Sequence, residues 1–219
     1  MLSRDFSSYR CLAHLVLSAI VVAGCASGPT SIRTGASPDA ASRRAAIEQR
    51  LRKVPSKAVT MYEQAVATMA AGDLAGAGRR FGEFVSTFPG YPGAHVNLAI
   101  IRAQAGDDRA VEGHINDALV IDPRHPAALN QLGLLRRRQG KFVEAEAAYL
   151  KAVTASPDYA LAHYNLGVLN ELYFQRLDAA LQHFERYQEI EGEDRTVSKW
   201  IADLERRLSA EQRAAKVTE

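Results

Sequence analysis

The side chains of this sequence best suited to chemistry are six histidines, two cysteines and 25 acidic residues. Imidazoles hold metals or move protons when a second ligand stands at helical spacing from them, as in His-x-x-x-His. His14, His95, His114, His125, His163 and His183 form no such pair and have no cysteine beside them, and they fall at different phases of the helical pattern. Carboxylates such as Asp107, Asp108 and Glu144 stand at turn or solvent positions. The sequence contains neither a glycine-rich phosphate loop nor a nucleophile elbow. These observations predict no catalytic residue, no metal site, no cofactor and no small-molecule substrate. Two cysteines are too few for a disulfide framework, and their positions suggest another use. Cys11 opens an apolar stretch that runs to Gly24, and Cys25 comes directly after it.

That stretch, residues 11–24, is shorter than the roughly 20 residues needed to cross a bilayer, and Arg4 and Arg10 precede it. It predicts a signal peptide over residues 1–24 and not a stable span. Its end, Val22-Ala23-Gly24-Cys25, resembles the lipobox of bacterial lipoproteins, in which a thiol after small residues is diacylated before cleavage ahead of it. The resemblance implies that Cys25 is lipidated, becomes the first residue of the mature chain and is held by more than one acyl chain, enough for stable attachment. By the sorting rule of that family, Ala26 in place of Asp implies the outer membrane, with the protein facing the periplasm.

The elements beyond this segment have to bury a core, and 219 residues with 47% hydrophobic content suffice for one domain or a short solenoid. A net charge of +2, from 27 basic and 25 acidic residues, provides no overall field toward nucleic acid. Basic runs at Arg43-Arg44, at residues 50–53 and at residues 136–138 read as solvated helix faces, with a partner or lipid headgroup contact as the alternative. Residues 26–38, rich in Ser, Gly, Thr, Ala and Pro, read as a tether within the segment 25–57. Residues 40–53 favour a short helix packed on the first repeat of the array that begins at residue 58, or else continue the tether.

From residue 58 onward a period of about 34 residues is visible. Pro89, Pro123 and Pro157 are evenly spaced, as are Gly72, Gly106 and Gly140. Each proline follows an apolar helical stretch, and each glycine falls in the turn of a helical hairpin. Leu98-Ala99, Leu132-Gly133 and Leu166-Gly167 recur in the first helices, and Ala77, Val111, Ala145 and Ala180 in the second. Phe81, Ile115, Tyr149 and Phe184 stand four residues after those, one turn along the same face. The fourth unit has one extra residue before Ala180 and no glycine in its turn. Residues 193–208 predict an amphipathic helix carrying Val197, Trp200, Ile201, Leu204 and Leu208 on one stripe, suited to cap the array. Residues 209–219 predict a frayed tail.

This pattern resembles the tetratricopeptide repeat family, whose repeat places a Leu-Gly pair in helix A, an Ala and an aromatic four apart in helix B, and a Pro at the end. The third unit matches best, with Leu132-Gly133, Gly140, Ala145, Tyr149, Ala152 and Pro157. The resemblance implies an all-α superhelical solenoid of about four hairpins over residues 58–192, acting as a protein-binding scaffold and not as an enzyme. Carrying over the groove-facing places of helix A, the lining would include Tyr62, Val66, Val96, Ile100, Asn130, Leu134, Arg137, Tyr164, Val168 and Glu171. Either these residues are covered by neighbouring repeats or by residues 40–53, or they form an apolar strip that receives a helix or extended peptide. The carboxylate clamp of some family members has Lys and Asn where this chain has Tyr62 and Val66, so an acidic-tail receptor is not implied.

The expected role is a membrane-anchored scaffold or assembly factor for a protein or peptide partner in the bacterial cell envelope. A peptidoglycan- or polysaccharide-associated binding protein and a regulatory subunit of an envelope enzyme are the alternatives.

Overall fold

The computed structural model describes residues 54–217. The expected leader of residues 1–24, Cys25, the tether and the short helix expected over residues 40–53 lie outside the described residues. Among the described residues the regular elements are all helical. They are α1 Ser56–Ala70, α2 Leu74–Thr87, α3 Pro92–Gln104, α4 Asp108–Ile121, α5 Pro126–Arg138, α6 Phe142–Ala155, α7 Ala160–Leu169, α8 Leu177–Glu191 and α9 Arg195–Val217, with a π-helical turn Asn170–Phe174 after α7. None of these helices is long and apolar enough to cross a membrane. The described residues divide into two compact units on either side of the boundary between Arg80 and Phe81.

Local sequence sets where the helices begin and end. Pro92 and Pro126 open α3 and α5, where a missing N–H breaks no intrahelical bond. Asp73 and Asp107 each accept from the N–H three residues on, of Gly76 at 2.7 Å and Ala110 at 3.0 Å, which satisfies a donor that the first turn leaves open. His125 does the same for α5 by accepting from the Ala128 N–H at 3.2 Å. Gly72, Gly106 and Gly140 take φ of 85°, 74° and 75°, the left-handed conformation that reverses the chain within a hairpin without a Cβ clash. In the first unit Ala58 and Ala65 of α1 and Ala77 of α2 are buried.

In the second unit α3 pairs with α4, α5 with α6 and α7 with α8, and successive pairs rest on one another. The hairpins close by setting a small residue of the first helix under a bulky one of the second. A Cβ on Gly133 would lie 2.3 Å from Tyr149 Cε1, and one on Gly167 would lie 2.6 Å from Phe184 Cε1. The α3–α4 hairpin holds Ala99 and the smaller Ile115 at the corresponding places, both fully buried. Each hairpin then needs its neighbour. Leu135 of α5 completes the cluster of Ala99, Val111 and Ile115, and Leu166 and Leu169 of α7 complete that of Ala145 and Tyr149. Full burial of such side chains contributes about 1.5–3 kcal/mol each.

Polar contacts run between the same stacked helices. Arg136 meets Glu112 at 2.6 Å and Glu144 at 3.2 Å, Arg138 pairs with Asp108, and Arg176 reaches Glu146 at 2.6 Å. Two members of the basic run at residues 136–138 are therefore occupied within the chain, at roughly 0–1 kcal/mol per exposed pair.

The fourth hairpin absorbs its extra residue in the π-helical turn Asn170–Phe174. Gln175 comes next with φ 56° and ψ 33°, adopting the left-handed conformation that glycine supplies in the other turns. Between α7 and α8, His163 Nδ1 and His183 Nδ1 lie 3.2 Å apart, and His163 Nε2 is 3.0 Å from the Pro157 carbonyl oxygen. Only a protonated Nε2 can bond to that carbonyl, so neutral His163 accepts at Nδ1 and His183 is the donor. Burial, then the charge of His163, pushes the His183 pKa down from 6.5 to about 4.

Helix α9 covers the last hairpin. Its Val197 and Leu204 join the cluster of Ala180, Phe184 and Tyr187, with Trp200, Ile201 and Leu208 packed against it. Trp200 lies 5.4 Å from Phe184 and 5.9 Å from Tyr164 between ring centroids. The helix also outruns its expected end. Residues 209–217, expected to fray, continue α9 to Val217, since Ala, Glu, Gln, Arg and Lys in this stretch are strong helix formers even where their side chains are exposed.

Two outcomes test these contacts. Gln175→Gly is expected to raise the unfolding free energy by about 0.5–1 kcal/mol, the left-handed strain less the entropy of glycine; an unchanged or lower value in urea denaturation would show that Gln175 sits there without strain. Unfolded His183 takes up a proton near pH 6.5 while the folded residue does so near 4, so stability is full above that window and falls as pH drops through it. The urea midpoint should fall less between pH 7 and pH 5 in His183→Gln than in wild type, and equal falls would contradict the assignment.

Candidate partner-binding surface

The residues expected to line a groove divide into four groups. Tyr62 and Val66 lie on α1 in the first unit and are half-buried. Val96 and Ile100 of α3 are 5% and 2% exposed, and Asn130 of α5 is 1% exposed. These three are corrections to the expected lining, because they belong to the packed interior. Helix α3 buries six of its thirteen residues, Ala94, Val96, Leu98, Ala99, Ile100 and Ile101, so more than one face is occupied. Asn130 accepts a buried hydrogen bond from Asn165 Nδ2 at 2.9 Å, which gives each amide a partner where α5 and α7 approach.

The fourth-hairpin candidates meet α9. Tyr164 and Val168 pack against the cluster that α9 completes, and Glu171 receives Arg207 of α9 at 3.2 Å. Leu134 and Arg137 of α5 remain half-exposed, Leu134 at the edge of the Tyr149 cluster. Cys25 lies outside the described residues.

A different surface is open. Gly140, Lys141, Phe142, Val143, Glu144 and Phe174 line a cleft of about 310 Å³ at the turn of the third hairpin, beside the turn of the fourth. Phe142 and Tyr173 stack at 4.2 Å between centroids, and the Arg176 guanidinium lies 4.4 Å above the Phe174 ring. Val143 is 72% exposed, Leu172 64% and Tyr173 44%. The extra residue of the fourth hairpin falls in this turn, so the same irregularity that removes its glycine brings Tyr173 and Phe174 to the third hairpin and leaves Leu172 exposed beside them in sequence. The sequence signal was present as apolar residues off the core stripe at positions 143, 172 and 173. The arrangement can desolvate an apolar side chain, with Lys141 and the Arg136–Glu144 and Arg176–Glu146 pairs at its polar flanks.

The histidines also occupy places that sequence spacing did not reveal. His95 of α3 and His114 of α4 have ring centroids 5.9 Å apart. Asp117 approaches both, at 3.5 Å from His95 Nδ1 and 3.9 Å from His114 Nδ1. Neither Nδ1 is solvent-accessible or hydrogen-bonded, a condition that costs about 1–3 kcal/mol per orphaned group. Burial first, then the charge of His95 and, more weakly, Arg102, lowers the His114 pKa against the opposing pull of Asp117. Four histidines thus fall at two matching phases rather than at unrelated ones, since His163 and His183 take in the fourth hairpin the places of His95 and His114 in the second. Comparison of the two hairpins by their Leu98-Ala99 and Leu166-Gly167 markers would have found them.

Comparison with known proteins agrees with this architecture. Residues 133–172 match the family model described as TPR repeat, and no curated protein matches the sequence. Among solved structures, the chain is similar to PilF of Pseudomonas aeruginosa, with 21% identity, a TM-score of 0.62, and coverage of 70% of this chain and 69% of that one. It is similar to a thermophilic TPR protein of Thermus thermophilus, with 22% identity, a TM-score of 0.58, and coverage of 72% and 86%. A third is the first TPR domain of Spaghetti bound to the HSP90 peptide SRMEEVD, with 19% identity, a TM-score of 0.50, and coverage of 54% and 95%. The fold is that of the all-α tetratricopeptide solenoids, and residues 133–172 match the tetratricopeptide repeat itself.

Proposed function

We propose that this chain is a scaffold that binds a protein or peptide partner in the bacterial cell envelope, tethered to a membrane through lipid on Cys25. The observation that carries the binding reading is the open apolar cleft at the turns of the third and fourth hairpins. Val143 and Leu172 face water without serving the core, and exposed apolar surface rimmed by charge is characteristic of interaction sites. An apolar anchor on a helix or extended segment suits it, with polar groups of that segment meeting Lys141.

The acidic peptide seen with the Spaghetti domain is a different class of ligand. Tyr62 and Val66 replace the clamp residues such a tail needs, and the cleft is apolar. A polysaccharide would ask for several convergent carboxylates and amides, whereas Glu144 is the one carboxylate in the cleft lining. Anchoring rests on the Val22-Ala23-Gly24-Cys25 segment, and the outer-membrane assignment on Ala26.

Two measurements test this reading. Wild-type protein is expected in the membrane fraction with a mass increase for lipid, and Cys25→Ala in the soluble fraction; a variant that stayed on the membrane beside an unlipidated wild type would end the anchoring claim. Val143→Glu combined with Leu172→Glu is expected to abolish a crosslink to the partner in native membranes while changing folding stability by no more than about 0.5 kcal/mol per site, as for exposed positions. Undiminished crosslinking in that double variant would remove the cleft from the binding surface.

A further inference from the structure

The geometry points to a divalent transition-metal site of the zinc class formed by His95, His114 and Asp117. One ligand atom from each of the three residues lies within 4.8 Å of the others. Donors bound tetrahedrally to Zn²⁺ at about 2.0–2.1 Å stand roughly 3.3–3.4 Å apart, and the carboxylate oxygen is already 3.5 Å from His95 Nδ1 and 3.9 Å from His114 Nδ1. Small rotations of three side chains on two packed helices would close the set. Two imidazoles and one carboxylate match the borderline N/O preference of zinc and leave a fourth position for water or a partner's side chain.

The repeated hairpins supply an internal comparison. At the places of His95 and His114 the third hairpin has Leu129 and Ala148, both buried, so packing there does not require imidazole. In the fourth hairpin, His163 and His183 bond directly to each other, and Arg186 replaces the aspartate. That pair spends its Nδ1 atoms on one hydrogen bond and has a guanidinium where a metal would need an anion. In the second hairpin both Nδ1 atoms lack such a bond, and Asp117 is placed between them.

Isothermal titration of ZnCl₂ into the chelator-stripped protein, with any free thiol alkylated so that thiolates do not compete, should show one ion bound per chain. Loss of a supporting residue outside a metal's own ligands already weakens binding roughly 10–100-fold, so Asp117→Asn, His95→Gln and His114→Gln should each weaken it by at least about tenfold, and His183→Gln should leave it unchanged. Asp117 is exposed enough that Asp117→Asn stays folded even if a histidine variant does not. Absence of zinc binding by the wild type, or undiminished binding in Asp117→Asn, overturns the site.

Discussion

Everything in the second unit depends on how closely the two helices of a hairpin approach. The rings of Tyr149 and Phe184 lie where a Cβ on Gly133 or Gly167 would have to be, 2.3 and 2.6 Å from the nearest ring carbon. Such contact is open only to glycine on one side and a flat side chain on the other, and it fixes the register of the pair. Where the first helix has Ala99 instead, the second supplies Ile115, branched and shorter. Small and large change together because the space between the helices is limited.

A hairpin closed in this way still leaves one side of its bulky residue to be covered, and the chain meets that need in sequence order. Leu135 covers Ile115, Leu166 and Leu169 cover Tyr149, and Val197 and Leu204 of α9 cover Phe184. The final cover has a consequence for binding. In taking Tyr164, Val168 and Glu171 as its own partners, α9 removes from the fourth hairpin the face on which a ligand would be expected. Apolar surface is left instead at the turns, where the extra residue of the fourth hairpin sets Tyr173 on Phe142.

The period, the closing glycines and the capping helix were legible in the sequence because each depends on local chemistry. A left-handed turn selects glycine, a helix start tolerates proline, and a close approach selects Gly or Ala. Burial of Val96, Ile100 and Asn130 was not legible, since helical phase tells which residues share a face but not how many faces neighbours will cover. The count of residues exposed the insertion in the fourth hairpin. Its form, a π-helical turn ending at left-handed Gln175, depends on which hydrogen bonds the packed helices leave open. The histidine pairs escaped for a related reason. Metal-ligand spacing rules compare residues a turn apart on one helix, whereas His95 and His114 meet across two.

Positions equivalent by repeat are not equivalent in chemistry. One location, between the two helices of a hairpin, holds Leu129 with Ala148, His163 with His183, and His95 with His114. Its shape is set by the backbone, which all three hairpins share, and its chemistry by a third residue one turn further along, Lys151, Arg186 or Asp117. In the fourth hairpin the imidazoles turn to each other, and burial lowers the pKa of both, that of His183 to about 4. In the second, with aspartate in reach, the imidazoles are left facing a carboxylate without a hydrogen bond. The repeat supplies the fold, and specific function has to be sought where one copy departs from the others. For this chain those departures are the His95–His114–Asp117 group in the second hairpin and the exposed apolar turn of the fourth.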